Sequence, residues 1–167
     1  MVCRDAMLDI IQRQTEGLMY HDEMADYYAF LNLKVLKDIH KKQTKEELHN
    51  LRKAKCKFIE HFNMLPTYTA TDPKAIPTEW RSKKSTEIDE ASLKILIKTS
   101  LSGYLMWEEK TCEIYKNAAQ VFKDNMNFIL YKEACCMIEE VQCEIAKIKE
   151  MSLDAASYGY CPSYFME

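Results

Sequence analysis

The sequence predicts an all-α protein, a four-helix bundle of two antiparallel hairpins joined by a long crossover. Three observations point there. Glycine and proline are scarce, 3 and 4 in 167 residues, so few residues break a helix. Apolar residues recur at about 100° per residue through four long segments, and no alternation bounded by turn signals marks a strand. The connections between the segments are short, long, short, the pattern of two hairpins and a crossover.

Helix A is expected from about Arg4 to Leu31 and helix B from about Lys34 to Phe62. Only a tight turn separates them, so they fold back on each other. The crossover spans about 63–88 and holds Pro66, Pro73 and Pro77. It is too long for an adjacent turn but suits a return along the bundle. Helix C follows from about Asp89 to Phe122, and helix D from about Met126 to Leu153. The bundle thus occupies 1–153, and 154–167 form an aromatic tail, "SYGYCPSYFME" at its end, without helical patterning.

With 47% hydrophobic residues the chain can bury one sizeable core. No apolar run approaches the roughly 20 residues that cross a bilayer. The first residues, "MVCRDAMLDIIQRQ", are charged and amphipathic rather than signal-like. Seven cysteines, with no Cys-x-x-Cys pair, read as reduced thiols and place the protein in the cytoplasm. Adjacent Cys135 and Cys136 cannot share a helix face, which argues against a zinc-cysteine site. A glycine-rich phosphate loop and a Ser-His-Asp or Cys-His nucleophile are both missing, so covalent catalysis is not expected.

Each helix has an inner stripe, and each stripe carries ionisable residues near mid-length. Helix A gives Met7, Ile11, Gln14, Leu18, His21, Ala25 and Tyr28; helix B gives Leu36, His40, Gln43, Glu47, Asn50, Ala54 and Phe58. Helix C carries Glu108 between Tyr104 and Thr111, and helix D has Glu140 and Glu144 at its stripe edge. A turn near Asn32 would set His21 opposite Glu46 and Glu47, and Asp26 opposite His40. A turn near Asp124 would set Glu108 opposite Glu140 and Val141. Buried charge is costly alone, so these groups should be paired or bind a metal. His21 and His40 read either as neutral imidazoles holding register or as ligands. Glu47 has its own structural reading, since "TKEE" (Thr44–Glu47) fits a capping box that restarts helix B.

The segment "HDEMADYYAFLNLKVLKDIHKKQTKEELHN", with its Met-x-x-Tyr-Tyr run and later Glu-Glu pair, resembles the A–B hairpin of the ferritin-like superfamily. The Met-Ala-Asp-Tyr run, Ile76-Pro77 with Trp80, and Trp107-Glu108 further resemble small ferritin-like proteins of prophages and mobile elements in Gram-positive bacteria. The resemblance implies a bacterial or phage-infected host cytoplasm. It also implies a di-metal centre in which two helices give a Glu and two give Glu-x-x-His. Here Glu47 is followed at the third position by Asn50, Glu140 by Cys143, and Gln14 stands where helix A would give a Glu. Standard ferroxidase activity is therefore not expected. An altered site of His21, His40, Glu47, Glu108, Glu140 and Glu144, taking Fe, Mn or Zn, is the metal-handling or oxidoreductase alternative.

The surface offers the other reading. Between Lys34 and Lys57 the charge is strongly basic, and Lys34, Lys37, Lys41, Lys45, Arg52 and Lys55 fall on the outer face of helix B. That face either pairs with acidic helix A or meets an acidic partner. Met19, Tyr27 and Phe30 form a second apolar strip on helix A, expected at an interface. The first expectation is thus a bundle acting by binding, to a protein partner or as a homodimer through helices A and B. The partner role that the mobile-element resemblance implies is accessory or inhibitory. Nucleic acid is only a weak expectation, because the chain is acidic at a net charge of −3 and carries no known reading motif.

Overall fold

In a computed structural model, which describes residues 2–81 and 83–166, the chain is all-helical. The long helices are α1 (Cys3–Phe30), α2 (Lys34–Phe62), α4 (Glu90–Asp124) and α5 (Phe128–Ser157), with a single-turn α3 (Thr78–Arg81) in the crossover. Among the described residues there is no strand, and no helix is long and apolar enough to cross a membrane.

The helix ends follow from local chemistry. Asn32 turns the first hairpin with φ 57° and Asn63 ends α2 with φ 51°. Asparagine tolerates this left-handed backbone because its short polar side chain can bond locally. Asp89 accepts a hydrogen bond from the Ser92 amide at 2.7 Å, capping the start of α4. Asn127 does the same for α5 through Leu130. α2 does not restart at Thr44. The Thr44 hydroxyl bonds back to the His40 carbonyl at 2.9 Å, so the helix is continuous and Glu47 is not a capping residue.

α1 packs on α2 and on α4, and α4 packs on α5. The buried core falls into two clusters. One holds Met24, Tyr28, Leu36, Ile97, Leu101 and Ile148; the other holds Met7, Ile11, Phe58, Tyr115, Phe122 and Leu130. Between them, on every long helix, lies the polar layer anticipated from the stripes. The tail docks: α5 runs on to Ser157, and a 3-10 turn at Pro162–Phe165 packs on α4 and α2 with Phe165 fully buried.

The crossover lies over the α1–α4 side of the bundle. Glu23 of α1 anchors it, accepting from the Ala75 amide at 3.2 Å and pairing with Arg81. Glu16 accepts from the Thr71 amide and hydroxyl. This explains one correction. Tyr27, expected on an exposed strip with Met19 and Phe30, is only 8% exposed, and its neighbour Tyr20 is also buried. Met19 and Phe30 remain exposed. The loop covers Tyr20 and Tyr27 because Ala75, Ile76 and Trp80 find there the apolar surface they need.

Candidate functional site: a divided polar layer

His21 and His40 are fully buried, as helical periodicity foretold. They meet each other, Nδ1 to Nδ1 at 2.9 Å, and this corrects the expected register. Glu47 does not face His21 but lies against Gly17, where a β-carbon would come within 3.2 Å of its carboxyl carbon. A side chain at position 17 would crowd that carboxyl, and glycine leaves the room. Asp26 is exposed and does not meet His40. With the turn closed over Leu31–Leu33, it is His40, seven residues before Glu47 on α2, that comes level with His21.

Burial holds the His21 imidazole down to about 3 and His40 well below its ordinary value, the latter helped by His21. Both rings are neutral at physiological pH, so one Nδ1 donates and the other accepts. His21 Nε2 stands 3.4 Å from Glu108 Oε1 but makes no hydrogen bond. With a neutral ring this contact is not an ion pair.

Glu108 is buried at 3% exposure, although the Glu-Glu-Lys run around it also suits an outer helix surface. Burial first, and then Glu144, raises its carboxyl to about 7, against the pull of Arg13. Glu47 is half-buried, but its Oε2 is shielded and unpartnered. Burial and then Glu108 raise its carboxyl to about 8. Glu144 accepts from the Tyr104 hydroxyl at 3.1 Å, in the register expected for a turn near Asp124. Glu140 is exposed.

Glu47, Glu108, Glu140 and Glu144 line one cleft of about 790 Å³, together with Gln14, Gln43 and Cys143. It opens between α2 and α5, which are joined nearer the hinge by Lys53–Glu133 at 2.9 Å and His61–Asn127 at 2.7 Å. His21 and His40 stay behind it in the core. Gln14 Oε1 is a further buried, unpartnered atom on its wall.

Arg13 was not legible as a site residue. It is 4% exposed and buried at the same level. Its Nε donates to Thr111 Oγ1 at 2.8 Å and its Nη2 to the Trp107 carbonyl at 2.7 Å. The guanidinium lies 3.5 Å from the centre of the Trp107 ring, a cation–π contact. A sequence signal existed: Arg13 immediately precedes Gln14 of the stripe, and a long side chain one position off the stripe can still reach inward.

The donors do not fit a di-metal centre. Among the described residues no group of three or more His, Cys, Asp or Glu is set to hold a metal ion, and Arg13 places a fixed positive charge in the layer. The His21 Nε2–Glu108 Oε1 pair offers two donors, which suits at most one ion whose other positions are filled from outside the pair. A ligating imidazole whose other nitrogen is hydrogen-bonded is a recurrent arrangement, and His40 supplies that bond here.

Of the expected basic face, Lys34, Lys41, Lys45 and Arg52 are exposed. Among the described residues none of these four makes an ion pair, and no cation of α2 pairs with α1. Lys37 is half-buried beside Asp38, and half-buried Lys55 lies 5.0 Å from the Tyr68 ring. Sequence reading missed an apolar end. Met126, Phe128 and Ile129 at the α4–α5 hinge are 75%, 67% and 65% exposed. Met64 and Leu65, just past α2, are also exposed, and the His61–Asn127 bond brings them to the same end.

No family model matches the chain, and no curated protein matches it.

Proposed function

We propose that this bundle works by binding a protein partner rather than by catalysis, with the apolar hinge end as its anchor. The observation that carries this is the group of large exposed side chains at that end, Phe128, Ile129, Met126 and Leu65. Single exposed apolar residues are ordinary, but a contiguous group points to an interaction site. The unpaired cations Lys41, Lys45 and Arg52 run along α2 towards it, with Leu48 and Ile59 exposed on the same helix. An apolar centre flanked by cations suits a partner with an apolar projection and an acidic surround. In this reading the chain is a ferritin-like bundle that has lost the six-residue metal site. It acts in the cytoplasm as a phage or mobile-element accessory or inhibitor.

A photo-crosslinking residue at Phe128, in cells carrying the native gene, should give one discrete adduct heavier than the 19.6 kDa chain. Ile129→Asp with Lys41→Glu, Lys45→Glu and Arg52→Glu should abolish it without changing the melting temperature. No adduct would refute the reading, and an adduct of twice the chain mass would replace the foreign partner with a homodimer.

A second reading is favoured by the unpartnered His21 Nε2 facing Glu108 Oε1 at 3.4 Å. Here the protein holds one divalent ion (Fe, Mn or Zn) between His21 and Glu108, with the remaining positions filled from outside this pair. The ion would displace the proton that burial keeps on the Glu108 carboxyl. Elemental analysis of chelator-free protein should then find about one equivalent per chain, lost in Glu108→Ala. No metal after anaerobic incubation with iron(II) would end this reading.

A further inference from the structure

We infer that the cavity beneath the crossover is a binding site for a small aromatic carboxylate. It lies on the opposite side of α1 and α4 from the acidic cleft and encloses about 370 Å³, within the range of small-molecule sites. Its walls are aromatic. Tyr20 and Trp107 stack face to face with centroids 4.5 Å apart and planes 2° apart, and Trp80 and Tyr27 also face the cavity. Tyr20 and the Arg13 guanidinium already cover the Trp107 ring, so a ligand ring would pack on Trp80 and Tyr27.

The charge of the ligand follows from the lining. Among the described residues it contains Arg13, Lys74 and Lys110 and no carboxylate. Arg13 spends Nε and Nη2 on Thr111 and Trp107. Its Nη1 has only Glu16 at 3.9 Å. A guanidinium has five N–H donors in a planar fork that matches a carboxylate, so donors remain for one. Tyr27 carries a buried hydroxyl without a partner, which a polar ring substituent can satisfy.

The chain provides its own reporter, since its only two tryptophans, Trp80 and Trp107, both line the cavity. Titration with 4-phenylbutyrate should change tryptophan emission saturably. Neutral 4-phenylbutanamide should bind about tenfold more weakly, the scale of one lost charge-assisted contact. Lys110→Glu should weaken the acid and not the amide. Gly103→Phe should abolish binding of both. Gly103 lies on the cavity wall and a β-carbon there meets nothing within 4 Å, so the substitution meets no clash at its base, and circular dichroism checks the fold. No saturable change up to millimolar acid overturns the site. Equal affinity for acid and amide overturns the anionic assignment, and unaltered binding in a folded Gly103→Phe overturns the location.

Discussion

The two sides of the buried polar layer differ in what covers them. On the α1–α4 side the crossover closes over Tyr20, Tyr27 and Trp107, and Arg13 is held by Trp107, Thr111 and Glu16. On the α2–α5 side nothing closes the layer, and Glu47, Glu108 and Glu144 line an open cleft. One side thus carries a cation held by a hydroxyl, a carbonyl and an aromatic face under a largely apolar roof, and the other carries carboxyls with unpartnered oxygen. The difference shows that one layer of mixed polar residues is sorted by sign. Positive charge goes where aromatic faces and carbonyls are available, and negative charge goes where water or a cation can enter.

The largest expected effect comes from breaking the closed side. Arg13→Met keeps most of the volume but removes the cation near Glu108 and Glu47, so urea denaturation should register a loss of about 3–5 kcal/mol. A loss below about 1 kcal/mol would mean that the arginine is not supporting the layer. Glu108→Gln should recover part of the loss by removing the carboxyl that Arg13 answers.

Titration of the open side sharpens the comparison at the next scale. Glu47 and Glu108 have folded values raised to about 8 and about 7, so the unfolded chain gives up their protons first. Stability from these groups is fully present below their unfolded values and is lost as pH rises through about 7 to 8. His21 is lowered to about 3, and its contribution is present above its unfolded value and lost as pH falls towards 3. Chelated protein should therefore be most stable at mildly acidic pH, with the alkaline fall on the order of 1–3 kcal/mol. Glu47→Gln should flatten the alkaline limb, and stability unchanged from pH 5 to 9 would contradict the burial of these carboxyls.

The smallest effect distinguishes the two glycines of α1 and α4. Gly103→Ala faces open space and should stabilise by roughly 0.5–1 kcal/mol through helix propensity. At Gly17 the new methyl meets the Glu47 carboxyl, so Gly17→Ala should gain less and shift the alkaline limb. Equal gains with unaltered pH profiles would place Glu47 elsewhere.

Much of this was legible before any fold was known. Periodicity located the four helices to within a few residues, and the inward stripe placed His21, His40, Gln14 and Glu108 in the core. Helix phase depends on local spacing alone, and spacing is written in the chain. The register between α1 and α2 was not legible, and His40 rather than Glu47 meets His21. Register depends on how tightly Leu31–Leu33 closes and on which side chains fit, as Gly17 admits Glu47. Tyr27 and Arg13 carry the same lesson. Their burial is decided by a crossover distant in sequence and by Trp107 on another helix. By itself the sequence determined the class, the helices and the polar character of the mid-layer, because these rest on short-range periodicity. Only tertiary structure decided which polar groups meet, which side closes and which stays open, because those outcomes depend on long-range packing.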